Sequence, residues 1–180
     1  MIHDTVTIHV RMDARTFRRF GFFDTLVLRR RWLSPAVFSA IFIVFSVICF
    51  CLTDKAQSAL LGAVLLAVGL LLPACYFLNF FLQMNDQVKR LGIKKPKPVY
   101  TLTLDRKEIH ITNDMKEEAG VVLPWANVMG VWRDKRATYL YANAARAFIL
   151  PDGQGDCSPA ELWDFAAQCL PGEKLHGKRP

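Results

Sequence analysis

The pattern of apolar and polar positions changes character three times along the chain. From Thr5 to Arg11 it alternates, with Val6, Ile8 and Val10 on one face and Thr7, His9 and Arg11 on the other, which predicts a half-buried strand. Asp13 is placed to cap a following helix reaching towards residue 28, where Phe17, Phe20, Phe23 and Val27 recur at helical spacing among arginines. Such a basic amphipathic helix either lies at a headgroup surface or packs on a folded domain. Two long apolar runs come next, expected as helices over about 33–53 and 57–83 with a turn at 54–56. Apart from Cys49, Cys51, Cys75 and Tyr76, neither run carries an ionisable side chain; Asp54-Lys55 sits between them. A helix needs about 20 apolar residues to cross a hydrocarbon core of about 30 Å, and both runs are long enough. The opposing reading, two helices buried in a soluble protein, needs a larger shell than the rest of this chain can build.

Beyond a polar, basic linker over 84–98, the grammar turns to strands. Tyr100, Leu102 and Leu104 alternate with threonines, Asp105 to Glu108 reads as a turn, and Ile109 and Ile111 begin the return. Val121–Trp125, Val128–Arg133, Thr138–Ala142 and Ala147–Leu150 add short strands, arguing for an antiparallel meander. Ser158-Pro159-Ala160-Glu161 is a capping-box signature, and Leu162, Phe165, Ala166 and Cys169 form an apolar stripe behind it. The domain is expected over 99–172, with a frayed tail at 173–180. Since about 80 residues make a small core, the strand around Val6–Val10 is a candidate to complete the sheet. The expected class is therefore an α+β membrane protein: a two-helix transmembrane hairpin, preceded by a strand and helix over 1–32, plus a small antiparallel β domain closed by a C-terminal helix.

Charge sharpens this picture. The formal net charge is +7, but residues 1–32 carry seven Arg and three Asp, and residues 84–98 carry five Lys or Arg and one Asp. Residues 99–180 are nearly neutral, with ten basic and eleven acidic groups. A nucleic-acid binder would concentrate its cations on the folded domain, so no nucleic-acid partner is expected. Instead Arg29, Arg30, Arg31 and Trp32 before the hairpin, and Lys89, Arg90, Lys94 and Lys95 after it, read as membrane-interface residues. The positive-inside rule then puts both termini in the cytoplasm of a cell with a multi-pass inner (cytoplasmic) membrane protein. Each cation near an anionic headgroup surface adds roughly 1 kcal/mol of attraction.

Within the hairpin, Ala59, Ala63 and Ala67 form a stripe of small residues beside Gly62 and Gly69, and Ser39 and Ser46 face them one heptad apart. Small residues let helices approach closely in lipid, so the two spans are expected to pack there; a homodimer face on the second span is the alternative. Pro73 is expected to kink the second helix. Neither span contains Asp, Glu, Lys, Arg or His, the residues that mark transport routes and proton relays.

Several segments together resemble the bacterial YcxB-like membrane proteins. Trp125-Ala126-Asn127-Val128 matches that family's tryptophan followed by an aliphatic three later. Thr138-Tyr139-Leu140-Tyr141 and Ala147-Phe148-Ile149-Leu150-Pro151 match its aromatic strand and its aliphatic strand ending in proline. A basic residue often follows that proline in the family, whereas here it is Asp152. The resemblance implies a C-terminal domain of pleckstrin-homology (PH-like) type, and it brings no catalytic residues.

Chemistry is sparse. His3, His9, His110 and His176 are scattered without metal-site spacing, no Cys pair has C-x-x-C spacing, and no cleavable leader is expected before the first apolar run. Glu117-Glu118 reads as a charged turn. Trp125, Trp132, Tyr139 and Tyr141 are either strand packing or a surface for a partner peptide. No enzyme, metal or cofactor is expected. The reading is a membrane-anchored, non-enzymatic interaction or scaffold protein with an unidentified protein partner. The alternative is an accessory or regulatory subunit of a membrane enzyme or transporter, or a lipid-handling protein.

Overall fold

A computed structural model describes residues 5–51, 56–114 and 120–180. The chain forms two compact units, one built from Met1–Thr16 with Lys95–Pro180 and the other from Phe17–Lys94.

In the first unit, β1 (Thr5–Met12) pairs antiparallel with β2 (Lys97–Asp105), which continues through β3 (Glu108–Asn113) to β4 (Val121–Pro124). Alternation sets the inner face: Val6, Ile8, Val10 and Met12 are buried, Val6 lies opposite Leu104 and Ile8 opposite Leu102. Leu102 in turn faces Ile111, and Leu104 faces Ile109, so one apolar layer runs across three strands. Pro98, which has no N–H to give, sits opposite Arg11 at an irregularity in the β1–β2 register. The open edge of β1 is covered by the chain before the C-terminal helix. There Asp156 donates its backbone N–H to Thr7, and the Gln154 side chain bonds both backbone groups of Arg11.

A single meander was the expectation; the structure has two four-stranded sheets instead. At Trp125–Asn127 a 3-10 turn takes the chain out of the first sheet, held by the Trp125 indole donating to the carbonyl of Asp105 at 2.6 Å. The second sheet has the order β7 (Arg146–Pro151), β6 (Ala137–Asn143), β5 (Gly130–Asp134), β8 (Leu175–His176). Tyr100 of β2 joins the sheets: its hydroxyl donates to the carbonyl of Ile149 and accepts from the same residue's N–H. Helix α4 (Pro159–Cys169) starts with the full capping box, Ser158 and Glu161 bonding each other's backbone, and buries Leu162, Phe165 and Ala166.

The tail is a second correction. Leu175 and His176 pair parallel with Val131 and Trp132, the Lys174 ammonium donates to the carbonyl of Val128, and Arg179 pairs with Asp164. A two-residue strand carries no periodicity, so only the open edge of β5 reveals it.

The second unit is helical. Asp13 caps α1 (Ala14–Phe22) by accepting from the Thr16 N–H at 2.8 Å, which holds its carboxyl below the usual carboxylate value. A π-helical turn over Phe23–Leu28 follows, then α2 (Leu33–Cys51) and α3 (Ala56–Leu91). Helix α3 passes its expected end near Gln83 and absorbs much of the expected linker. No breaker intervenes before Gly92, which takes φ +65°, while Lys89 and Arg90 in the last turn favour the negative end of the helix. The expected turn at Asp54-Lys55, Glu117-Glu118 and His3 lie outside the described residues.

Candidate functional site

The α2–α3 contact is built on hydroxyls and glycines. Ser46 donates to the carbonyl of Gly62 at 2.7 Å, and Ser39 to that of Gly69 at 2.5 Å. A Cβ on Gly69 would come within 3.3 Å of Ile43, Phe42 and the Ser39 carbonyl, so any larger residue would have to push the helices apart by a few tenths of an ångström. The two glycines are one heptad apart, matching the two serines in antiparallel register. Ala59, Ala63 and Ala67, which the sequence offers as the packing stripe, are exposed instead. A serine must reach a backbone carbonyl, and a methyl group stands in the way of that reach where a glycine hydrogen does not.

Pro73 explains why Ser39 matters. Within an α-helix, residue 73 would donate its N–H to the carbonyl of residue 69, and proline has none. The Gly69 carbonyl therefore lacks its helical donor, and Ser39 from the neighbouring helix supplies one.

Antiparallel register brings the basic collars to one end of the hairpin. Arg29 pairs with Asp24 at 2.9 Å, Arg30 adopts a left-handed conformation (φ +47°) that ends the helical run, and Arg31 and Trp32 are exposed. On α3, Lys89 lies 3.6 Å from Asp86, and Arg90 is exposed; Lys94 and Lys95 follow, also exposed.

Helix α1 docks on the same end of α3. Phe22 meets Phe80 and Phe81 edge-to-face at 5.2 and 5.5 Å, Arg18 donates to the Asn85 side chain at 2.8 Å, and Gly21 faces the buried Met84. The seat of α1 on α3 straddles the end of the expected second span, Phe80 and Phe81, and the segment expected as linker, Met84 and Asn85.

Between α1, the start of α2 and α3 lies a cleft of about 830 Å³. Its α3 wall runs from Leu72 through Tyr76 and Asn79 to Gln83 and Gln87. Arg31, Ser34, Asp24 and Thr25 also line the cleft, and the Ser39–Gly69 bond places Phe38 at the Leu72 end. Sequence reasoning missed it, although the carboxamides at 79, 83 and 87 recur every four residues along α3.

The aromatic group expected as packing or as a partner surface is largely interior. Trp125, Tyr139 and Tyr141 are buried, Trp125 lies against Phe165, and Trp132 is half-buried between Tyr141 and His176. That burial overturns the partner-surface alternative for three of the four. Asp152, where the YcxB-like pattern often has a basic residue, accepts from both terminal nitrogens of the Arg133 guanidinium at 2.6 and 2.7 Å. Arg133 is nearly buried, so a cation at 152 would have left it unpaired.

Among the described residues no three of His, Cys, Asp and Glu gather as metal ligands. His9 bonds Thr101, and His110 lies 3.1 Å from Glu108. Burial pushes the Cys157 and Cys169 thiols up from their ordinary value, which disfavours the reactive thiolate.

Comparison with protein-family models, curated proteins and solved structures finds no match.

Proposed function

We propose that this chain is a bilayer anchor that holds its β domain at the cytoplasmic face of a membrane, as a non-enzymatic interaction or scaffold module. Two helices here are long and apolar enough to cross a membrane. What supports a bilayer rather than a protein interior is their exposure: Leu60, Leu71 and Leu78 stand 71%, 60% and 60% exposed.

One observation carries the topology. Met12 and Lys97 are register partners on adjacent strands, so the chain between them leaves and returns to one point. Any crossing by α2 must then be reversed by α3, and both ends of the hairpin share one side. The basic collars at that end favour the cytoplasmic side. The PH-like, YcxB-like reading of the domain draws support from its order: a four-stranded antiparallel meander, then β5-β6-β7, then helix α4, with the short β8 following it.

Labelling of intact cells with a membrane-impermeant thiol reagent tests this. In a background without other cysteines, Lys55→Cys should label, whereas Cys157 retained alone should label only after lysis. Labelling of Cys157 in intact cells overturns the orientation, and equal protection of both positions overturns the crossing.

A further inference from the structure

We propose that the cleft between α1, α2 and α3 holds one anionic glycerophospholipid as a bound, stoichiometric ligand; this rests on the bilayer reading above.

Length, polarity and charge point to the same occupant. From Leu72 to Gln87 the α3 wall extends about 22 Å at about 1.5 Å per residue. One leaflet with its headgroups is about 20–22 Å deep. The end beside Leu72 and Phe38 is apolar and continues into the exposed faces of α2 and α3, which gives an acyl chain an unbroken path. Arg31, Ser34 and Thr25, a guanidinium and two hydroxyls, also line the cleft. That is the donor set a phosphodiester accepts from. Gln83 and Gln87 offer hydrogen bonds to the polar substituent of a headgroup.

Charge selects the class. Asp24 and Arg31 are the charged residues lining the cleft, and Asp24 is already engaged by Arg29. Among the described residues no carboxylate pairs with Arg31, so the cleft is lined by one cation without an ion-pair partner. A zwitterionic lipid would bring its own cation into that space; an anionic one would not.

The test uses the full chain in vesicles of equimolar phosphatidylglycerol and phosphatidylcholine, extracted gently and weighed by native mass spectrometry. One phosphatidylglycerol per chain should be retained, about fivefold over phosphatidylcholine, the factor expected for one cation near an anionic headgroup. Arg31→Ala should abolish that preference and Asn79→Trp should fill the cleft and remove the adduct. Lys135→Ala, on the β5–β6 turn of the β domain, should change neither. Arg31→Gln serves if Arg31→Ala does not fold. Equal retention of the two lipids, or adducts indifferent to Arg31 and Asn79, overturns the proposal, as does displacement by millimolar inorganic phosphate. Resistance of the same vesicles' protein to alkaline carbonate extraction is scored in parallel. Loss of the protein there sinks the bilayer reading, whereas a carbonate-resistant chain with no retained lipid sinks this inference alone.

Discussion

Replacing Ser39 by alanine should cost far more than replacing Ser46, although both serines donate to a glycine carbonyl on α3. The Gly62 carbonyl that Ser46 reaches also receives the helical N–H of residue 66, so Ser46→Ala removes a supplementary bond. Interhelical hydrogen bonds of that kind average about 0.6 kcal/mol. The Gly69 carbonyl stands opposite Pro73 and has no helical donor, so Ser39→Ala leaves a buried acceptor unsatisfied. That costs about 1–3 kcal/mol. Pro73→Ala returns an N–H to the helix, and in that background Ser39→Ala should cost about as little as Ser46→Ala. The coupling between positions 39 and 73 is therefore about 1–2 kcal/mol. Reversible unfolding of the full chain in mixed micelles, titrated with a denaturing detergent, gives the four stabilities of the cycle. The reasoning fails if Ser39→Ala and Ser46→Ala cost the same, or if Ser39→Ala costs the same with and without Pro73→Ala.

Two further outcomes follow from the β domain. Asp152→Asn should destabilise it by about 2–3 kcal/mol, because the nearly buried Arg133 guanidinium loses its charge partner; a change under about 0.5 kcal/mol by chemical denaturation would refute that role. Burial pushes the Tyr100 phenol well above its ordinary value of 10.0. The unfolded chain therefore releases that proton first, and the stability this group contributes, complete below pH 10, falls as pH rises beyond it. Tyr100→Phe should be less stable at neutral pH yet lose less between neutral and strongly alkaline pH; parallel alkaline slopes for the two proteins would refute it.

Local chemistry was legible wherever a short window carries it. Alternation at Val6, Ile8 and Val10 marked β1, the Asp13 cap and the Ser158–Glu161 box marked two helix starts, and the uncharged runs marked α2 and α3. The misreadings share one cause, a partner distant in sequence. Met84 to Leu91 reads as linker because its polar residues have nothing nearby in sequence to bury against, and α1 packs on Met84 and Asn85. The tail looked frayed because Leu175-His176 makes sense only against β5. The cleft was out of reach for the same reason, since its three walls come from residues 17–25, 31–38 and 72–87.

What the sequence determined by itself is the kind of each segment, because helix and strand patterns, caps and breakers act over a few neighbouring residues. It also determined that two segments are long and apolar enough to cross a membrane and that cations flank them. Tertiary structure alone decided which surfaces meet. The glycines at 62 and 69 were chosen over the alanine stripe because a serine hydroxyl needs a carbonyl within hydrogen-bond reach. Asp152 was decided by a guanidinium from β5. Above all, β1 and β2 pair across the whole helical hairpin, and that pairing depends on matching apolar faces brought together in space. It turns two apolar helices into an insertion whose two ends meet at Met12 and Lys97.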